Sequence, residues 1–445
     1  MTNKAINYLV LLLLFLLPWQ TRWIYYLDFL SGVQNEYGTL SFYGTEILLW
    51  TVVVLFVGNT FLNKEFISLL KARKLSPPVA IRLGILLLVI AWLGLIWFYS
   101  ANHEVVSQFY NRLSGVVALG IILFVQIAKN SLPKIWALLA LWLSGVVQGG
   151  LGAYQFLLQG IAANKWLGLS ETLPSSIGVN VIETAGERWL RAYGSLGGPN
   201  PLGIYLVVIL ILGFILYYFY RNSKVRLFII FGNLIIFTGL FFTFSRGAWL
   251  SGLVGGVVFI LTILFGKKSE VKTRAEKICL LSRLVIPFLL LFLVLNFLFS
   301  PLVQTRFGSE GRLEKRSLRE RGDQIIEWKM VFESNWFIGT GPGNYLRALA
   351  HIDDGPQRAY ALPVHNIYLL ILAEMGSIFF MGFIIGLVIL LVKVLKNNPL
   401  YLALIVSLAI AGLFEHWLWS LFPGLIFSAV IATLSLAPDN TSKMA

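Results

Sequence analysis

Long apolar runs decide what this chain of 445 residues can fold into. A helix needs about 20 mostly apolar residues to cross the hydrocarbon of a bilayer, and we count about twelve such runs. Because no water is available there to hydrogen-bond the backbone, each run must be helical. We therefore expect an all-α, polytopic membrane protein with one integral membrane domain over residues 1–445. The predicted spans are 5–24, 43–62, 78–99, 103–127, 132–160, 199–220, 226–243, 247–266, 281–300, 364–392, 399–416 and 420–437.

The charges of the chain indicate how it sits in the membrane. Only 13% of the residues are charged, against about 25% in a soluble domain. The net charge of +14 does not form a basic domain, so nucleic acid is not an expected partner, whereas membrane lipids are. Basic residues lie mostly in short connections between the predicted spans, and many of them are in every second connection, on one face of the membrane. A cytoplasmic N-terminus makes that face the inner one, as the positive-inside rule requires. This orientation places the extracytoplasmic loops at 163–198 and 301–363.

The polar segment 302–362 ends just before His365, where a new apolar run begins. Near a helix start the dipole disfavours imidazolium, and a neutral imidazole is what a general base needs. The alternative is a structural histidine at the membrane edge. A base beside many fixed cations indicates chemistry on an anionic, lipid-borne substrate. Nine basic residues lie in this loop: Arg306, Arg312, Lys315, Arg316, Arg319, Arg321, Lys329, Arg347 and Arg358.

Two parts of this loop have a predictable local structure. Apolar residues at helical spacing predict an amphipathic helix over 321–333, resting on the membrane surface or against the bundle. The glycine-rich stretch 339–344 predicts an irregular turn, which either brings backbone N–H groups close to a ligand or is a plain loop. The residues on the predicted apolar face are Ile325, Trp328, Val331 and Phe332.

Arginines stand in two further connections. Arg246 follows Ser245 in a turn between two predicted spans, where an arginine at membrane depth costs about 2.5–3.5 kcal/mol on insertion scales. It either serves a function or extends its head group to the interface. Arg188 and Arg191 precede a glycine-rich stretch that allows close approach of the backbone to a head group. The planar guanidinium binds phosphate oxygens bidentately, so these arginines suit a lipid diphosphate.

Several of these segments resemble the O-antigen ligase and polymerase family, and they occur in the family's order over roughly residues 190–380. The resemblance implies a GT-C-like membrane glycosyltransferase of about twelve spans without a nucleotide-sugar domain. Such enzymes transfer a glycan from undecaprenyl diphosphate to an acceptor hydroxyl on a glycan or lipid. The motifs are RAYGS at 191–195, PNPLG at 199–203, TFSRGAW at 243–249, Arg321 with Trp328, IGTGPG at 338–343, VHNIYL at 364–369 and EMG at 374–376.

The resemblance also assigns residues. Arg191, Arg246 and Arg321 match the arginines that bind the donor diphosphate, and His365 matches the histidine that deprotonates the acceptor. The family is thought to require no metal, and we expect neither a metal nor a cofactor. Three neighbours are close enough to take the place of Arg321 in an alignment: Arg312, Arg316 and Arg319. We expect supporting roles for Asn200, Ser245, Gly341, Gly343 and Asn366.

Some alternatives stay open at this point. The motifs do not separate a ligase from a polymerase, although both predict a bacterial cytoplasmic-membrane enzyme whose active site faces the periplasm or cell exterior. A transporter of an anion or a lipid-linked sugar is the alternative function, and it predicts ionisable residues at mid-membrane depth. The candidates within spans are Glu46, Arg112, Glu374 and Glu415, of which we interpret the last two as structural.

Overall fold

The computed structural model describes residues 3–62, 77–184, 186–266, 273–308, 311–352 and 362–439, and most of these residues are helical. The structure also contains two short 3₁₀ helices, Lys165–Leu167 and Pro399–Tyr401, and two antiparallel hairpins: β1 (Arg22–Leu30) with β2 (Val33–Tyr43), and β3 (Val181–Thr184) with β4 (Glu187–Leu190). The helices are α1 (Asn3–Leu16), α2 (Gly44–Leu62), α3 (Pro77–Tyr99), α4 (His103–Ala128), α5 (Lys134–Leu158), α6 (Pro199–Phe219), α7 (Ser223–Phe242), α8 (Arg246–Phe265), α9 (Arg274–Leu298), α10 (Ser300–Phe307), α11 (Arg312–Asn335), α12 (Tyr345–Ile352), α13 (Ile367–Asn397), α14 (Leu402–Ala411), α15 (Trp417–Ser420) and α16 (Phe422–Leu436).

The helices confirm a mostly helical, polytopic membrane protein. Among the described residues, eight helices are long and apolar enough to cross a bilayer: α2, α4, α5, α6, α7, α8, α9 and α13. Shorter apolar helices, 10–17 residues long, lie at Asn3–Leu16, Leu87–Tyr99, Pro399–Ala411 and Phe422–Leu436.

The first predicted span differs from the structure. Helix α1 ends at Leu16, and residues 22–24 of the predicted span 5–24 lie in strand β1. Pro18 lacks the N–H that a continuing helix needs, and the aromatic and β-branched residues that follow favour extended backbone. The two small hairpins are the exception to the all-α expectation among the described residues.

Helix α6 lies at the centre of the bundle, where it packs against α5, α7, α8 and α14. Most of its side chains are buried. Small residues let the surrounding helices approach closely, as is usual in membrane bundles. At the crossing of α5 and α7, a Cβ built on Gly239 would lie 2.5 Å from the backbone oxygen of Gly149. The backbones of these two helices are therefore in direct contact.

The amphipathic helix predicted within the large loop is confirmed and is longer than expected, since α11 covers the whole of 321–333. Val331 is fully buried, and the Trp328 indole donates to the carbonyl oxygen of Leu369 at 2.7 Å. Ile325, by contrast, is 55% exposed, while Gln324 on the predicted polar side is buried. The helix thus packs on α13 through a narrower face than the sequence indicates.

The last part of the chain is less regular than predicted. Helix α14 ends at Ala411, so residues 412–416 of the predicted span 399–416 form a turn before α15. Helix α13 begins at Ile367 and is broken at Gly376, whose φ of +74° strains any residue with a Cβ. Both irregularities lie near the polar residues described below.

Gly239→Ala tests the close contact between α5 and α7. The added methyl must displace backbone, and overpacking of this kind costs about 1–3 kcal/mol. We expect a lower apparent melting temperature in detergent. Gly256→Ala on α8 is the matched control, because a Cβ there meets no atom within 4 Å. Equal melting temperatures for the two variants would contradict the packing described here.

Candidate functional site

The turn between α7 and α8 accepts hydrogen bonds from two arginines. The last carbonyl groups of a helix lack intrahelical partners and carry partial negative charge. Arg191 Nε donates to the carbonyl oxygen of Thr243 at 2.6 Å, and Arg306 Nε donates to that of Phe244 at 2.9 Å. Phe244 holds a φ of +45°, an unusual conformation that directs successive carbonyl groups to these two guanidiniums. Both arginines are thus positioned by backbone.

A buried carboxylate positions a third arginine. Arg246 is the first residue of α8, after the buried Ser245 at the N-cap position. Its Nη2 lies 3.1 Å from Oε2 of Glu314, and Arg306 forms an ion pair with the other oxygen of the same carboxylate. Glu314, at 4% exposure, therefore holds two guanidiniums side by side.

Arg321 on α11 completes the cluster. Its Nε is buried and has no hydrogen-bond partner among the residues that the structure describes. Burial lowers the pKa of Arg321, Arg246 lowers it further, and Glu415 and Glu314 act in the opposite direction. Arg321 lines both the large cavity and the small pocket that adjoins it.

The cluster carries an excess of positive charge. Burial is the main cause that lowers the pKa of Arg191 well below its usual value, and the neighbouring Arg306 adds to it. Arginine nevertheless stays protonated at any working pH. The four guanidiniums, Arg191, Arg246, Arg306 and Arg321, are only partly neutralised by the two carboxylates of Glu314 and Glu415. The excess of about two positive charges suits an anion of opposite charge.

These residues meet at a large open cavity of about 1390 Å³. Its walls come from the segment 177–191, from α11 and from the start of α13, and Arg191, Arg306, Arg321 and His365 all contribute. An adjoining small pocket brings Arg246 together with Asn200, Arg306, Arg321 and Glu415. Distant parts of the chain thus converge on one site at one end of the bundle.

His365 lies at the rim of this cavity, and its side chain is 24% exposed. It directly precedes α13, whose N-cap is Asn366. The Asn366 side chain accepts from the N–H groups of Tyr368 and Leu369, at 2.9 and 3.1 Å. The His365 backbone N–H donates to Oε1 of Gln324 on α11 at 3.4 Å. The helix start is therefore fixed on both sides of the imidazole.

A carboxylate and a second imidazole lie behind His365. Nδ1 of His365 is 3.9 Å from Oε1 of Glu415, which is 3.8 Å from Nε2 of His416. The two imidazole rings stack with centroids 5.2 Å apart. Burial tends to raise the pKa of Glu415, but the two histidines, the His416 N–H and the Asn200 side chain outweigh it, so that this pKa is lowered. Burial lowers the pKa of His416 to about 4.

Asn200 links this group to the arginines. Its Oδ1 accepts from Arg191 Nη2 at 3.0 Å, and its side chain also hydrogen-bonds to the Glu415 carboxylate. One amide therefore connects a guanidinium of the anion site to the carboxylate behind His365.

The group formed by His365, Glu415 and His416 also has the donor atoms of a metal site, all within 4.8 Å of one another. Zinc ligands at about 2.0–2.1 Å from the metal would lie closer together than the 3.8 and 3.9 Å measured here. The positive charge of Arg321 acts on the same carboxylate and opposes a divalent cation. The arrangement suits proton transfer better than metal binding.

The structure does not bring Gly341 and Gly343 to this cavity. Their N–H groups donate to the backbone oxygen and to Oε1 of Glu374, both at 2.9 Å. Positive φ angles of +87° and +77° allow this loop to fold against the break of α13 at Gly376. The predicted irregular turn exists, but its backbone donors bind a carboxylate of the protein itself.

Of the alternatives to Arg321, Arg312 and Arg316 also line the large cavity, but each is paired with a carboxylate. Arg312 pairs with Glu183 at 2.8 Å, and Arg316 pairs with Glu320 at 2.6 Å on the exposed side of α11. Arg319 is exposed and does not line the cavity. Arg321 is the one of the four that lies beside Arg246 and Glu415. Arg358, also in this loop, is outside the described residues.

Sequence reasoning missed four members of the site. Arg306 was only one basic residue among nine, and Glu314 gave no signal because a single acidic residue in a polar loop is usually solvated. Glu415 was interpreted as structural, and His416 was not singled out. The available signal was that Glu415 and His416 are adjacent in the sequence, since two neighbouring ionisable side chains in an apolar stretch are costly unless they are paired.

Comparison with known families gives one match. Residues 231–384, about a third of the chain, match the family model described as O-antigen ligase. This segment is therefore similar to the O-antigen ligase family. It includes Arg246, Arg321 and His365, whereas Arg191 and Glu415 lie outside the matched range. No curated protein matches the chain.

The match confirms the resemblance seen in the sequence. The similarity to the O-antigen ligase family supports a role in O-antigen, polysaccharide or lipopolysaccharide biosynthesis of the cell envelope. With the apolar helices, it supports a multi-pass protein of the bacterial inner membrane with a glycosyltransferase-type function on lipid-linked glycans.

The low pKa of His416 predicts a loss of stability on acidification. The unfolded chain binds a proton near pH 6.5 and the folded chain only near pH 4, so stability falls as pH drops, by up to about 3 kcal/mol. We expect His416→Gln to flatten the decline in melting temperature between about pH 7 and 5. His103→Gln, at an exposed histidine, is the control. Identical pH dependence in the wild type and His416→Gln would contradict this.

Proposed function

We propose that the protein is a membrane glycosyltransferase that moves a glycan from undecaprenyl diphosphate to an acceptor hydroxyl at the outer face of the cytoplasmic membrane. The observation that carries this proposal is the cluster of four guanidiniums beside an imidazole at the rim of one cavity. A GT-C-like arrangement of about twelve spans is part of the proposal, with loops 163–198 and 301–363 outside.

The arginines bind the donor diphosphate. Their excess charge matches the two negative charges of a diphosphate diester, and each guanidinium offers paired donors to phosphate oxygens. As the bond between the sugar and the diphosphate breaks, the negative charge on the leaving phosphate increases. The guanidiniums are already held in place by the carbonyl oxygens of Thr243 and Phe244 and by the Glu314 carboxylate. They therefore stabilise that charge without reorganising during the reaction.

His365 activates the acceptor. The acceptor hydroxyl attacks the anomeric carbon while the imidazole takes its proton, and undecaprenyl diphosphate leaves toward the arginines. We propose a single displacement, which inverts the configuration at the anomeric carbon. The cavity exceeds the roughly 300–1,000 Å³ of ordinary small-molecule pockets, in keeping with a glycan substrate.

The acceptor is a glycan or a lipid-borne acceptor. A ligase transfers once to a distinct acceptor, whereas a polymerase extends a repeat and yields a ladder of products. Product length from a purified-protein assay with a defined undecaprenyl-linked glycan separates the two.

A transporter of an anion or lipid-linked sugar is the alternative. The break at Gly376 beside the buried Glu374 is the feature that favours it, because transporters use broken helices near ionisable residues. Here, however, the Glu374 carboxylate accepts from Gly343 N–H at 2.9 Å and from the Trp419 indole at 2.7 Å. The groups with unsatisfied charge lie at the cavity instead, which favours glycosyl transfer.

His365→Ala should reduce the transfer rate about 10²–10⁴-fold, because general-base assistance contributes about that much. The donor should still bind, since the arginines are unchanged. Single-turnover transfer and donor binding are measured on the same preparation, with His103→Ala as a control at an exposed histidine. Near-normal transfer by His365→Ala would remove the general base from the proposal.

Arg321→Gln should weaken donor binding roughly 10–100-fold, the loss expected for a hydrogen bond to a charged group. Arg319→Gln is the matched control, because it removes the same charge from the exposed side of the same helix. Binding of the undecaprenyl-diphosphate glycan is titrated against both variants. Equal losses of affinity in the two variants would show that only the overall positive charge of the protein matters. No loss of affinity in either variant would refute the diphosphate site.

A further inference from the structure

We infer that Glu415 is a positioning residue, which orients the His365 imidazole with Nε2 toward the cavity and stabilises the imidazolium formed during transfer. This inference rests on the proposed general-base role of His365. It adds to that role a specific reacting atom and a fixed counter-ion.

The two nitrogens of His365 face different surroundings. Nδ1 is buried and has no hydrogen-bond partner among the described residues, and the nearest carboxylate oxygen to it is Glu415 Oε1, at 3.9 Å. The side chain nevertheless lines the large cavity. Nε2 is therefore the nitrogen available to an acceptor hydroxyl, and Nδ1 is the nitrogen directed at the carboxylate.

Glu415 is itself held in place. Its Oε1 accepts from the backbone N–H of His416 at 3.0 Å, and Asn200 hydrogen-bonds to the same carboxylate. The turn that carries it is tied to the start of α13 by the Ile367 N–H, which donates to the Gly412 carbonyl at 2.8 Å. A backbone hydrogen bond thus holds the segment that carries the carboxylate against the segment that carries the imidazole.

Two of the titratable groups packed around Glu415 are neutral, so that its negative charge acts on His365. His416, from the same turn, is neutral at the pH of the cell because burial lowers its pKa to about 4. Tyr37 from strand β2 packs edge-on against His416 and stays a neutral phenol, since burial raises its pKa. Arg321 from α11 is the remaining charge that acts on this carboxylate, and it also faces the anion site.

The proton balance is simple. The acceptor O–H bond breaks as the new bond to the anomeric carbon forms, and the proton moves to Nε2. The electron pair of the broken glycosidic bond leaves with the diphosphate. The imidazolium then holds protons on both nitrogens, with its Nδ1–H facing Glu415, and the carboxylate stays ionised throughout.

Asn200 connects the pair of Glu415 and His365 to the proposed site of the donor diphosphate. The same amide accepts from Arg191 Nη2 and hydrogen-bonds to Glu415. The base is thereby held at a fixed position relative to the guanidiniums of the diphosphate site.

Glu415→Gln is the test, because it keeps the shape and removes the charge. We expect kcat to fall about 10–10³-fold, a part of the full general-base effect, while the donor KM stays within about threefold. The acidic limb of the rate profile should move to lower pH, since an imidazolium without its counter-ion is harder to form. Glu415→Asp should restore part of the rate. Glu333→Gln, at an exposed carboxylate on α11, is the control.

Further measurements separate this inference from the proposed function. If Glu415 acts through His365, the double variant with His365→Ala is no slower than His365→Ala alone. Normal kcat and pH profile in Glu415→Gln, with an inactive His365→Ala, would overturn only the inference. Full transfer by His365→Ala would overturn the general base itself. A raised KM with an unchanged pH profile, or inactivation by a chelator reversed by zinc, would also reject the positioning role.

Discussion

Backbone carbonyl groups at the end of one membrane helix make the arginine cluster possible. Four guanidiniums repel one another, and at a membrane boundary their desolvation is costly. Hydrogen bonds from Arg191 to Thr243 and from Arg306 to Phe244 use carbonyl groups that the helix leaves unsatisfied. The Glu314 carboxylate then holds Arg306 and Arg246 together. The cluster remains under-neutralised, and this remaining positive charge supports the proposed binding of an anionic lipid head group.

The rest of the site is arranged around that cluster. Asn200 stands at the start of the most buried helix and contacts both Arg191 and Glu415, so the central helix sets the distance between the anion site and the imidazole. Helix α11 supplies Arg321 on one side and fixes the His365 backbone through Gln324 on the other. The Gly339–Gly376 contact has a different role, because it closes the break in α13 with internal hydrogen bonds.

Much of this was accessible from the residues alone. Apolar runs predict most of the membrane helices because a bilayer leaves the backbone no alternative. The amphipathic helix follows from its 3.6-residue period. Arg246 and Arg191 stand out as charges at predicted membrane edges, and His365 as a base at a helix start, whereas the choice of Arg321 among the loop arginines came from the family resemblance. Hairpin β1–β2 was missed because its first residues continue the apolar run of α1, while the remainder was interpreted as the connection to the next span. Gly341 and Gly343 were assigned to the site from a local motif, whereas their donors bind Glu374.

The sequence by itself determined that the chain is a mostly helical membrane protein and that charge collects in the segments between the apolar runs, since those properties depend on local composition and length. Tertiary structure alone decided which of the four loop arginines lies beside Arg246, that Arg306 and Glu314 join this cluster, and that Glu415 faces His365. Those contacts join residues that lie far apart along the chain, in one case about 50 residues from the imidazole. Hydropathy patterns contain no information about which helix ends meet, because that depends on side-chain packing between the helices.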